Sequence, residues 1–230
     1  LGCRAVAVQL PLGQEADFRG VVDLISMKAI VYLDEQGREF REDPLPDSML
    51  VMARRFREAM VEAAAETDEE LMHKYLTGEE LTPEEIRMGL RRGTIRYGMV
   101  PVLCGASYRN KGVQPLLDAV VAYLPSPLDV PPVQAKGPTS GETVSRRADE
   151  GEPLAALAFK VQVDRNVGQL VYLRIYSGRM ARGDTVYNST KQAQQRIGRL
   201  LRMHANRREH LQEASAGDIA AAVGLDKTTT

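Results

Sequence analysis

The spacing of apolar residues changes period partway along the chain, and that change limits what each part can become. In the first part, Met49, Met52, Ala53, Phe56, Met60 and Ala63 recur three or four residues apart, as do Val113, Leu116, Leu117, Val120, Val121 and Leu124. One side of an α-helix collects residues at that spacing, so helices are predicted, one over 47–65, with its stripe facing a core, and one over 113–124, with a single apolar stripe. Past residue 150 the period becomes two, in short runs at 157–163, 170–176, 185–187, 196–203 and 219–223, punctuated by Ser177-Gly178, Gly183-Asp184 and Gly217-Asp218. Short alternating runs between such turns predict a small antiparallel barrel or sandwich. From Ser126 to Pro153 there are five prolines, and a segment so poor in amide donors reads as a linker, placed at 126–152. At 230 residues the chain is long enough for two domains with cores of their own.

Finer signals fill in the first part. Residues 5–10, 21–25 and 29–33 read as strands, the last entering the turn Asp34-Glu35-Gln36-Gly37. Thr82-Pro83-Glu84-Glu85 is a helix start, with the threonine capping, the proline in the first turn and Glu85 reaching back to the threonine amide. That helix is expected to run to about Arg92. An apolar strand, 99–104, then leads through a polar loop, 105–112, into the helix that begins at Val113.

Charge is divided along the chain. Residues 1–98 hold 19 acidic and 13 basic side chains, net −6, while 99–230 hold 12 acidic and 17 basic, net +5. Within the basic part, 185–208 contains no carboxylate but carries Lys191, Arg196, Arg199, Arg202, Arg207 and Arg208. Such a run can follow a phosphate backbone, with salt-dependent binding, or form a solvated face. Tyr187 is its only aromatic residue that could stack on a base, which favours the solvated face. The longest uncharged stretch, 97–108, is twelve residues, against the roughly twenty a membrane-spanning helix needs. The two cysteines, Cys3 and Cys104, form no CxxC pair or disulfide framework, which predicts a reducing, cytoplasmic setting. With no initiator methionine and a close at Thr228-Thr229-Thr230, the chain is expected to be a piece of something longer.

No catalytic centre assembles from these residues. A GxxxxGK[ST] phosphate loop needs glycines for backbone amides to close round the phosphates and a lysine for their charge, and the chain has no Gly-Lys pair. Asp34 to Gly37 has DxxG spacing but sits between hairpin strands, where Asp and Gly serve a turn. Asn110-Lys111-Gly112-Val113 begins like NKxD, yet valine stands where a carboxylate must read guanine. His73, His204 and His210 lie in unrelated contexts, so no metal site is expected. Cys104 reads as a structural thiol, and Glu79-Glu80 and Glu84-Glu85 as exposed or helix-start charges.

Longer segments resemble a known family. RNKGVQPLLDAVVAYLPSPLD, residues 109–129, is similar to the end of the GTP-binding domain of bacterial-type elongation factor G. PLAALAFK at 153–160, RIYSG at 174–178 and RLLRMHANRRE at 199–209 resemble its second domain, and CRAV and QLPLG at 3–6 and 9–13, with the helices up to Tyr97, resemble the insertion subdomain inside its GTPase domain. The resemblance implies an internal fragment: insertion subdomain 1–98, the last strand and helix of the GTPase domain 99–125, linker 126–152, and most of domain II, 153–230. The fold it implies is α/β, a partial GTPase domain with an α+β insertion, followed by an antiparallel β-barrel of the translation-factor domain II type.

The same resemblance implies a ribosomal translocase that hydrolyses GTP, with Mg2+, to move tRNA and mRNA in protein synthesis. Its phosphate loop, switches, catalytic histidine and NKxD motif would lie upstream of Leu1, so the fragment alone is expected to be inactive, without bound cofactor or metal. Gly105-Ala106-Ser107-Tyr108 falls where the family has Gly-Ser-Ala-Leu, whose backbone amides contact guanine, so Ala106, Ser107 and Tyr108 are the candidate nucleotide-binding residues. Implied partners are small-subunit ribosomal RNA at domain II, the large-subunit stalk protein at the acidic insertion, and the rest of the parent GTPase; on this resemblance the basic run Lys191 to Arg208 is expected to contact RNA phosphates rather than form only a solvated face, and helix 113–124 would pack on the missing half of the GTPase sheet. Another translational GTPase, such as a ribosome-protection or peptide-release factor, and a non-enzymatic ribosome- or RNA-binding module are the alternatives.

Overall fold

The computed structural model describes residues 4–137, 141–164, 167–205 and 207–230, which divide into two compact units, Leu1–Leu124 and Pro125–Thr230. The first opens on β1 (Arg4–Ala7), then a meander of β2 (Gln9–Leu12), β3 (Gly20–Asp23), β4 (Lys28–Tyr32) and β5 (Phe40–Pro44), paired antiparallel in that order. The run 5–10 thus serves two sheets. Val8 divides it, donating to the Val102 carbonyl and accepting from Leu24, so that its two sides turn to different partners.

Three helices follow: α1 (Asp47–Ala65), α2 (Glu69–Thr77) and α3 (Pro83–Ile95). In α1 the buried residues are Ala53, Met60, Ala63, Ala64 and Ala65, with Met49 packed against them; Met52 and Phe56 are exposed, correcting the predicted stripe. The core-facing side is the small-residue side. α2 gave no periodic signal, but its ends are well specified: the Asp68 carboxylate accepts from the Glu70 and Leu71 amides, and Gly78 closes it at φ 78°. α3 has the expected capping box between Thr82 and Glu85 and runs three residues beyond Arg92. The Glu85 carboxylate also accepts from Lys74 Nζ at 2.6 Å, tying α3 to α2.

The chain then enters β6 (Met99–Val102), which pairs parallel to β1 with Val6 opposite Pro101, and continues into α4 (Val113–Tyr123). Only Ala119 and Tyr123 of α4 are buried, while Leu116, Leu117, Val120 and Val121 remain exposed, with Val121 at 82%. The helix therefore turns its larger apolar face to solvent. Arg91 holds its end, donating to the Ala122 and Leu124 carbonyls at 3.1 and 3.0 Å.

The second unit begins with a hairpin inside the proline-rich segment, β7 (Val133–Lys136) against β8 (Thr143–Arg146). Next come β9 (Ala155–Asp164), β10 (Gly168–Ser177), β11 (Arg179–Ala181), β12 (Thr185–Asn188) and β13 (Ala193–Arg196). They are followed by β14 (Arg199–His204), β15 (Arg207–Leu211), β16 (Glu213–Ser215) and β17 (Ile219–Val223). Five strands form one antiparallel sheet in the order β15-β14-β17-β10-β9, with β11-β16 and β12-β13 as further pairs. The run predicted at 196–203 breaks at Gly198, whose amide bonds to the Val223 carbonyl at 2.8 Å, so β13 and β14 join different sheets. One face of the large sheet carries Val171, Leu173, Ile175, Leu200 and Ala222 into the core.

Candidate functional site

The loop that resembles a guanine-contacting turn follows β6. Ala106 and Lys111 close it with a two-way backbone bridge, the Ala106 amide donating to the Lys111 carbonyl at 2.8 Å and the Lys111 amide to the Ala106 carbonyl at 3.2 Å. The amide of Ala106 is therefore engaged within the loop. Ser107 and Tyr108 open a single 3₁₀ turn, and the Tyr108 ring is fully exposed.

The β4–β5 hairpin meets this loop, a contact no sequence motif announces. The hydroxyl of Tyr32, a residue only 6% exposed, accepts from the Gly112 amide at 2.7 Å and donates to Gln114 Oε1 at 2.8 Å. Gln114 Nε2 in turn donates to the Gly37 carbonyl at 2.8 Å, and Asn110 Nδ2 to the Gln36 carbonyl at 3.2 Å. Gly37 is at φ 63°, and a Cβ there would lie 2.6 Å from the Arg109 carbonyl oxygen, so both its conformation and its neighbour call for glycine. Burial pushes the Tyr32 phenol above its ordinary pKa, keeping the proton it donates. Hairpin tip and loop together line a groove of about 540 Å³ with Glu35, Gln36, Arg38, Tyr108, Arg109 and Asn110.

The sheet register scatters the basic run. Side chains directly opposite on neighbouring strands share a face, so His210, Leu201, Ala221, Tyr172 and Lys160 form one row across the face away from the main core, where Leu201 and Ala221 are buried with Leu170 in a smaller apolar cluster. Arg199 and Arg208 lie on this outer face, whereas Arg202 and Arg207 lie on the other face with His204, beyond the core. Lys191 lies in the turn between β12 and β13, and Arg196 ends β13, a pair of strands separate from the large sheet. Several of these cations are already engaged: Arg208 with Asp164 at 2.5 Å, Arg202 with Glu209 at 3.8 Å, and Arg196 with the Gly183 carbonyl at 3.1 Å. Among the described residues Arg207 makes no ion pair.

The outer face also carries aromatic surface that the sequence reading missed because it lies outside the basic run. Phe159 and Tyr172 have ring centroids 6.3 Å apart, and Lys160 Nζ stands 5.2 Å from the Tyr172 centroid. Phe159 is the extra residue of a bulge, since Tyr172 and Leu173 oppose Lys160 and Ala158.

Elsewhere, the turn between α1 and α2 forms a groove of about 420 Å³ lined by Glu66, Asp68, Glu69 and the exposed Leu76 among others. Arg4 and Arg92 pair with Glu66 and Asp68, so part of that acidity is neutralised. Burial pushes the Cys104 thiol up to about 11, the opposite of an activated cysteine. No described group of three or more His, Cys, Asp or Glu side chains could hold a metal ion, and no described helix is long and apolar enough to cross a membrane.

The chain thus consists of a mixed α and β unit followed in sequence by an antiparallel β unit. Residues 153–230 match the family model for elongation factor G domain 2. Over 96% of its length the chain matches a crystal structure of a protein from Thermus thermophilus, with a TM-score of 0.73 and 32% sequence identity. The chain spans 30% of the length of that protein. Residues 153–230 are thus similar to elongation factor G domain 2, and the chain as a whole is similar to a part of the Thermus protein.

Proposed function

We propose that this chain is an internal segment of an elongation factor G-type translocase, the GTPase that drives tRNA and mRNA movement on the ribosome. The match of residues 153–230 to the factor's domain 2 carries this conclusion. On it, residues 1–98 are the insertion subdomain, 99–125 the last strand and helix of the GTPase domain, 126–152 a connecting segment and 153–230 a barrel docking on small-subunit ribosomal RNA. The exposed face of α4, with Leu117 at 60% and Val121 at 82%, packs on the remainder of the GTPase sheet. The acidic insertion meets the large-subunit stalk protein, and the parent works in the cytoplasm.

GTP with Mg2+ is the cofactor of the whole protein, and the residues here fit only the base. With the Ala106 amide given to Lys111, the Ser107 and Tyr108 amides are the donors left to meet guanine. Gripping the phosphates falls to residues outside this chain, so the segment alone binds GTP or GDP no tighter than about millimolar, roughly −4 kcal/mol.

The test pairs two measurements. The full-length protein should hydrolyse GTP faster when ribosomes are added, and the isolated chain should co-sediment with small ribosomal subunits at low salt. Ribosome-independent hydrolysis without co-sedimentation refutes the proposal, and micromolar GTP binding by the isolated chain refutes the assignment of the phosphate grip to the missing part.

A further inference from the structure

The hairpin tip and the loop after β6 are separated by more than seventy residues in sequence, yet they are fastened by a chain of polar contacts. Tyr32 takes the Gly112 amide and gives its proton to Gln114; Gln114 holds the Gly37 carbonyl; Asn110 holds the Gln36 carbonyl. The loop is also fastened by its own backbone bridge between Ala106 and Lys111 and by Lys111 Nζ, which donates to the Phe18 carbonyl at 3.5 Å. Nothing else described on the hairpin needs Tyr32 to be a tyrosine rather than a phenylalanine: its ring packs on Phe40 at 5.7 Å either way. The hydroxyl is there for the loop.

We propose that Tyr32 and Gln114 are positioning residues that hold the Ser107 and Tyr108 amides in place for a guanine base, coupling that turn to hairpin residues 34–38. This rests on the base-contact role assigned above to the same turn. Preorganised donors bind without first paying to be ordered. Removing the hydroxyl leaves the buried Gly112 amide and Gln114 Oε1 without their partner, so the loop samples other conformations and the base leaves sooner. A partner seated on hairpin residues 34–38 would act on nucleotide release through the same contacts.

The test uses the full-length protein as wild type, Tyr32→Phe and Gln114→Ala, with two readouts. Amide hydrogen exchange without nucleotide should be faster at Gly112 and across 106–112 in both variants. Release of a fluorescent GDP should be about five- to tenfold faster, the scale of one hydrogen bond. Unchanged exchange overturns the clamp. Faster exchange with wild-type GDP release overturns the positioning role, leaving the contacts merely structural. If wild-type protein binds no guanine nucleotide at all, the base-contact assignment fails and this proposal's nucleotide role falls with it, whereas the exchange result still decides whether the clamp exists.

Discussion

Gly37 offers a direct measure of how tightly the hairpin tip is seated on the loop. Replacing it with alanine does two things: it places a side chain at φ 63°, and it puts a Cβ 2.6 Å from the Arg109 carbonyl oxygen and 2.7 Å from the Asn110 carbonyl carbon. Gly78 supplies the control, because it sits in the same unit at φ 78° with nothing within 4 Å of an added Cβ. A left-handed alanine costs about 1–2 kcal/mol at either position, so Gly78→Ala should lose about that much. Forcing a methyl against fixed backbone adds about 1–3 kcal/mol, making Gly37→Ala the worse variant by that difference. Urea unfolding followed by ellipticity at 222 nm reads the appropriate unit, since α1 to α4 all belong to it. If the two variants agree within about 0.5 kcal/mol, the size of ordinary non-additivity, the hairpin tip does not bear on the loop and the contacts around Tyr32 lose their meaning.

Two further outcomes follow from the geometry. Arg207→Ala should flatten the logarithmic salt dependence of RNA or ribosome binding by about 0.7–0.9, and Arg208→Ala by less, because Arg208 must first leave Asp164; equal slopes for the two would show that the ion pair does not matter. Cys104, with its thiol at about 11, should react with iodoacetamide at pH 8 about a hundredfold more slowly than an unfolded cysteine, measured in a Cys3→Ser background. Because the folded value lies above the ordinary 9.0, the stability Cys104 contributes is full below pH 9 and is lost as pH rises toward 11; equal labelling rates for folded and unfolded protein would contradict its burial.

What could be read from the sequence was local. The capping box at Thr82 and Glu85 needs only residues three apart, and the same is true of the spacing along α4. Which side of a helix faces inward is another matter. In α1, Met52 and Phe56 fit the apolar pattern as well as Ala53 and Met60 do, but the alanines at 63–65 let the neighbouring helix approach and decide the matter. Gly89 of α3 shows how close that approach is, since a Cβ there would lie 2.6 Å from the Ala64 carbonyl oxygen. The distribution of the basic run was hidden for a related reason: charge counted along a strand says nothing of the faces it alternates between, and Arg199 and Arg202 end on opposite sides. Tyr32 and Gln114 were illegible outright, since a polar pair 82 residues apart leaves no period in the sequence.

The parallel pairing of β1 with β6 has a consequence for how such a chain can vary. Everything from Val8 to Gly98 departs from one strand and returns to its immediate neighbour. The ladder between them fixes where this excursion starts and stops, but not what it contains. A meander and three helices can thus be enlarged, trimmed or exchanged over generations while the sheet that carries them keeps its strand order.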